Sequence, residues 1–80
     1  MDFYADWCPP CKAMDPLLER LGNEYPDLCI KKVNVEDDRK LAEKYSVQAM
    51  PTYILACEGE ELRRITGAMS YDALVEFSIT

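Results

Sequence analysis

The stretch Trp7-Cys8-Pro9-Pro10-Cys11-Lys12 decides how the rest of the chain reads. Two cysteines separated by two residues follow an apolar run and stand at the mouth of a helical pattern, which is the placement dithiol chemistry needs. A helix starting near Pro9 leaves Cys8 at its N-terminal edge, where unpaired N–H groups and the macrodipole favour a thiolate over a thiol. Cys8 is therefore the expected nucleophile. Cys11 comes three residues later under the same helical turn, within reach of the first sulfur and further inward, so it is the expected resolving thiol. The prolines between them fix φ and suit a first turn, where a missing N–H costs little.

Outward from this stretch, Asp2-Phe3-Tyr4-Ala5 reads as a short buried strand running into a loop at Asp6-Trp7. After it, Ala13, Met14, Leu17, Leu18, Leu21 and Tyr25 recur at spacings of three and four, predicting one helix from Pro9 to about Tyr25 with an apolar face. Pro16 should kink this helix, and Gly22-Asn23 should mark its end. A strand is expected over Leu28–Val35, with Lys31 and Lys32 blunting it as an edge. Glu36-Asp37-Asp38 opens a short second helix that buries Leu41, Ala42 and Tyr45 and has Lys44 in its last turn. The continuous apolar run Thr52–Cys57 predicts a strand covered on both faces, turned back at Glu58-Gly59-Glu60 into an antiparallel strand over Leu62–Thr66. Gly67 breaks that strand. Ser70 caps a last helix, which buries Tyr71, Leu74, Val75 and Phe77. The predicted order is β-α-β-α-β-β-α, an α/β fold with a four-stranded mixed sheet and three flanking helices in one domain over residues 1–80.

Composition narrows the chemistry. The 80 residues carry a net charge of −6 and no histidine. That balance argues against nucleic acid or an anionic membrane as partner and excludes catalysis by histidine, leaving thiols and carboxylates. No stretch approaches the ~18 apolar residues of a membrane span, and no signal-peptide pattern opens the chain, so a soluble protein is expected, and the isolation of Cys29 and Cys57 favours a reduced, cytoplasmic home. Cys29 and Cys57 stand alone in apolar segments and read as inert, buried small hydrophobes rather than a second disulfide. A metal site is disfavoured because, without histidine, only those two distant cysteines could complete a set of four ligands. A purely structural disulfide at Cys8 and Cys11 would close too small a loop to constrain the unfolded chain much.

With the element order and the dithiol in place, the chain resembles the thioredoxin family. The likeness runs through Asp2–Cys8, Pro10-Cys11-Lys12, Pro16, Lys32-Val33-Asn34-Val35, Met50-Pro51-Thr52, the turn at Gly59, and Gly67-Ala68. It implies a cis peptide before Pro51 facing the dithiol, a buried acid at Asp2 beneath the resolving cysteine, and Lys32 near that acid. It further implies a protein-disulfide reductase that needs no cofactor, acts on disulfide-containing proteins and draws electrons from a thioredoxin-reductase-type donor. Two departures stand out. Pro9 replaces the usual glycine, and a Pro-Pro pair is more similar to tryparedoxins, nucleoredoxins and some cytochrome-maturation proteins. The strand and helix with which thioredoxins normally begin are missing from this sequence.

The mechanism expected from these residues is thiol-disulfide exchange. Cys8 attacks a substrate disulfide, Cys11 resolves the mixed disulfide, and Asp2, with Lys32 beside it, helps take the Cys11 proton. Met50 and Pro51 should present free backbone to an extended substrate segment, with Gly67 leaving room. Trp7, Pro9, Pro10, Met50 and Ala68 complete the expected contact surface. Two rival readings are an oxidising or thiol-transfer protein of an extracytoplasmic maturation system and a redox-inactive binding or scaffold domain. The edge strand and a partly bare sheet face also predict weak, concentration-dependent homodimerisation.

Overall fold

The computed structural model describes residues 1–79. Its elements run β1 (Asp2–Tyr4), α1 (Pro9–Glu24), β2 (Lys32–Asn34), α2 (Arg39–Lys44), β3 (Thr52–Cys57), β4 (Glu60–Thr66) and α3 (Tyr71–Ile79). This is the predicted order. The four strands form one sheet in the order β2-β1-β3-β4, with β1 parallel to β2 and antiparallel to β3. The strand that carries the dithiol loop is therefore internal, and β2 is an edge, as the lysines suggested.

Alternation along β1 and β3 assigns side chains to two faces. On one face Met14, Leu18 and Leu21 of α1 and Leu74 of α3 close over Tyr53. On the other, Ala42 of α2 packs with Phe3, Val33 and Ile54. The long β3/β4 hairpin turns at Glu58 and Gly59, both at positive φ, and its register shifts between Leu55 and Ala56. The turn's glycine supplies a left-handed conformation without the Cβ penalty. The chain start is tied into the sheet, since the Met1 amino group donates to the Ile54 carbonyl at 2.6 Å and the Ile54 amide donates back to Met1 at 2.9 Å.

Several expectations need correction. The strand predicted over Leu28–Val35 is only three residues long, because the two lysines leave just Val33 as a buried anchor. Cys29 therefore falls in the connection ahead of β2 and is exposed rather than buried. Cys57 is exposed as well, for β3 is covered only over its first half and its last two residues run out beyond the helices. Ala13 points to solvent, being a step off the stripe of Met14, Leu18 and Leu21. Gly22 and Asn23 lie inside α1, which ends two residues later with Tyr25 as its cap, where the Tyr25 amide donates to the Leu21 carbonyl at 2.9 Å. β4 begins at Glu60, two residues earlier than expected, because the turn at Glu58 and Gly59 is tight.

Candidate active site

β1 delivers the chain to a loop in which the Cys8 amide donates to the Ala5 carbonyl at 3.2 Å, and α1 starts immediately after. Cys8 is the N-cap of α1. Its backbone is extended, with φ −92 and ψ 104, and Pro9 and Pro10 fill the first two helical positions where no N–H is required. In place of the usual hydroxyl or carboxylate cap, a sulfur does the capping: the Cys11 amide donates to Cys8 Sγ at 3.3 Å. Cys8 and Cys11 are joined in a disulfide, with Cα atoms 5.3 Å apart.

The two cysteines are almost equally covered, at 3% and 4% exposure, packed with Ala5 and against the half-buried Tyr4, Val35 and Met50. Exposure of the whole residue therefore does not separate a nucleophile from a resolving thiol. What separates them is the cap, because only the Cys8 sulfur receives a helix N-terminal amide. Beside Cys11 a cleft of about 260 Å³ is lined by Tyr4, Ala5, Asp6, Lys12 and Asp15.

The surface around the disulfide combines several of the predicted contact residues. Trp7 is 65% exposed, and Pro9 and Pro10 are exposed beside it. The Met50-Pro51 bond is cis, Met50 packs against the cysteine cluster, and Pro51 is fully buried. Gly67 adjoins Pro51, donating its amide to the Pro51 carbonyl at 2.8 Å, and holds a φ of +100 that its lack of a Cβ permits. Ala68 follows it at the surface. Thr52 is pinned below, its hydroxyl donating to the Ala49 carbonyl and lying 3.4 Å from the Thr66 hydroxyl.

Asp2 is buried, at 3% exposure, and its Oδ1 has no hydrogen-bond partner among the described residues. Burial pushes its carboxyl up to about 6, with the Lys32 charge opposing and Asp15 adding to the rise. Across the antiparallel pair stands Tyr53, likewise buried, its hydroxyl unpartnered among the described residues. Burial first, and then the charges of Asp2 and Asp15, push that phenol upward. Both residues border an apolar cavity of about 60 Å³ between β1, β3, α1 and α3, which also touches Cys29.

Lys32 lies near enough to Asp2 for each charge to act on the other, but its hydrogen bond goes to a different carboxylate. Its Nζ donates to Asp15 Oδ1 at 3.0 Å and sits 4.9 Å from the centre of the Tyr4 ring. Partial burial works against its charge, but the hydrogen bond to Asp15 and the charges of Asp15 and Asp2 raise its proton affinity overall. Sequence reasoning overlooked both Asp15 and Tyr53. Asp15 could have been noticed as the residue one turn beyond Cys11 on the helix; nothing in the sequence links it to Lys32. Tyr53 sits in an otherwise apolar run whose polar end announces itself only once the register with Asp2 is known.

Comparison with known proteins agrees with this architecture. The thioredoxin family model matches residues 1–79. The thioredoxin of Chlamydia trachomatis is 42% identical over 76 residues, covering 95% of this chain and 74% of its own. An H-type thioredoxin of Fagopyrum esculentum is 37% identical over 79 residues, covering 99% of this chain and 68% of its own. Among solved structures, oxidised mitochondrial thioredoxin 3 of Saccharomyces cerevisiae superposes with a TM-score of 0.88 at 40% identity, spanning 96% of this chain and 72% of that one. A likeness that runs the length of the chain and meets a disulfide at the mouth of α1 makes this protein a thiol-disulfide oxidoreductase belonging to the thioredoxin family.

Proposed function

We propose that this chain works as a single domain that reduces disulfides in other proteins, with Cys8 as nucleophile and Cys11 as resolving thiol. The observation that carries the assignment is the cap: the amide at the start of α1 points at Cys8 Sγ and not at Cys11. A helix N-terminus with a free donor stabilises the thiolate, which is the attacking species. In the reduced protein the Cys8 thiolate attacks a substrate disulfide, forming a Cys8–substrate bond and expelling one substrate thiolate. Cys11 then gives its proton to the Asp2 carboxylate and attacks Cys8 Sγ, releasing the second substrate thiolate. Two electrons pass to the substrate, and the protein is left with its Cys8–Cys11 disulfide.

Asp2 suits this role because a carboxyl that titrates near 6 is ionised at neutral pH yet returns a proton readily. The substrate lies across Trp7, Pro9, Pro10, Met50, Pro51, Gly67 and Ala68, which surround the dithiol with apolar contact and a proline-interrupted strand start. No cofactor enters the exchange. Reduction of the disulfide calls for a thioredoxin-reductase-type donor, and a cytoplasmic setting supplies the reducing environment. Among the described residues no helix is long and apolar enough to cross a membrane.

The test is trapping. Cys11→Ser, exposed to a disulfide-containing protein, is expected to accumulate a mixed disulfide through Cys8, while Cys8→Ser traps nothing and turns over nothing. Covalent complexes formed through Cys11 in Cys8→Ser would reverse the two roles. A midpoint potential measured against glutathione checks the direction: a value near the about −120 mV of strong disulfide donors would overturn the reducing assignment.

A further inference from the structure

Lys32 opens β2 as the parallel partner of Asp2, so by position alone its ammonium is the cation to settle on that carboxyl. It lies elsewhere. Asp15 Oδ1 accepts from Nζ at 3.0 Å, and the Tyr4 ring lies under the ammonium at 4.9 Å. Asp2 meanwhile is buried, with Oδ1 unpartnered among the described residues. Asp15 stands four residues after Cys11 on α1, and the two line the same cleft. The charged and titratable groups acting on Asp2 are Lys32 from β2, Asp15 from α1, the amino group of Met1, and the Tyr53 phenol across the strand pair.

We propose that Asp15 is a positioning residue for the exchange reaction: by holding the Lys32 ammonium over Tyr4 it keeps that cation off Asp2, and so governs the proton transfer between Asp2 and Cys11. This rests on the reading of Asp2 as the acceptor of the Cys11 proton. In the step concerned, the Cys11 S–H proton passes to the Asp2 carboxylate, the Cys8–Cys11 bond forms, and the Cys8–substrate bond breaks. The departing substrate thiolate is protonated from solvent. A carboxylate with an ammonium seated on it is a poorer base than one without, so a displaced Lys32 keeps Asp2 competent near neutral pH. The pair is half exposed and contributes little to stability, which leaves positioning as its main consequence.

Stopped-flow mixing of the reduced protein with a symmetric aromatic disulfide reads two thiolate releases, the first from attack by Cys8 and the second from resolution by Cys11. In the parent protein the second phase should slow on the acid side of about pH 6, where Asp2 takes up its proton. Asp15→Asn, which keeps the side chain's size, is expected to move this limb down by about half to one pH unit. At pH 5 resolution would then run about three- to tenfold faster relative to its own plateau. In a Lys32→Met background the same Asp15→Asn change should move the limb much less, because the cation it releases is gone. A limb that ignores Asp15→Asn, or that moves equally with and without Lys32, overturns the proposal. Asp2→Asn should abolish the limb altogether. Its persistence there would instead overturn the role given to Asp2, a failure distinct from one in which the limb depends on Asp2 and is indifferent to Asp15.

Discussion

Asp2 is the residue at which stability and the proposed proton transfer oppose each other. A carboxyl at 3% exposure whose Oδ1 has no hydrogen-bond partner among the described residues is disfavoured as an anion, and burial pushes it up to about 6 from its ordinary 3.8. Below about pH 4 it is neutral whether the chain is folded or not. Between about 4 and 6 the unfolded chain releases the proton while the folded one keeps it, so stability falls as pH rises through that window and is level above it. The separation corresponds to on the order of 3 kcal/mol at most. Asp2→Asn is therefore expected to stabilise the oxidised protein at pH 7 by about 1–3 kcal/mol and to remove the decline between pH 4 and 6, measured by urea unfolding across that range. At this scale the dithiol was legible because spacing in sequence is spacing on a helix turn. The exposure of Cys29 and Cys57 was not, since an apolar neighbourhood in sequence does not say how far a strand or its covering helix extends. The Lys32–Asp15 pair was equally invisible: it joins residues 17 apart, and only the stacking of β2 beside β1 brings them together.

Among the elements, α2 is the most dependent on its ends. It has six residues and a single buried side chain, Ala42, so helix propensity and packing give it little. Its start is fixed by Asp38, whose Oδ1 accepts from the Leu41 amide at 3.1 Å. Asp38→Ala is expected to cost about 1 kcal/mol and to speed amide exchange in 39–44 before the rest of the chain, as hydrogen exchange would show. The acidic opening of this helix was readable from Glu36-Asp37-Asp38, as was the Ser70 cap of α3, whose Oγ accepts from the Ala73 amide at 3.2 Å. The ends of β2 and β4 were less readable. Strand boundaries depend on which neighbour supplies the ladder, and that is a property of the sheet rather than of the strand's own residues.

Over the whole molecule the sheet is covered unevenly. α1 and α3 share one face, while the short α2 alone serves the other, leaving Met1, Val35, Tyr45 and Val47 half-buried around Phe3, Val33 and Ile54. With β2 also an edge, sedimentation is expected to show weak, concentration-dependent self-association, reduced by Val35→Lys. A monomer that persists at millimolar concentration would dispose of it. The small core has few spare contacts, and the order of strands and helices was recoverable because hydrophobic period and turn residues agreed along the chain. Which face each helix covers followed only from the way the helices pack on the assembled sheet.

Trp7 is the single tryptophan of the chain, directly precedes Cys8, and stands 65% exposed. An indole next to a disulfide loses excited-state energy to it by electron transfer and recovers its emission when the bond opens. The emission of Trp7 is thus expected to rise when the Cys8–Cys11 bond opens, an intrinsic optical gauge of oxidation state free of interference from any second indole. Excited at the red edge, where the five tyrosines are silent, its brightness would follow each turnover in real time without a dye, a tag or a coupled enzyme.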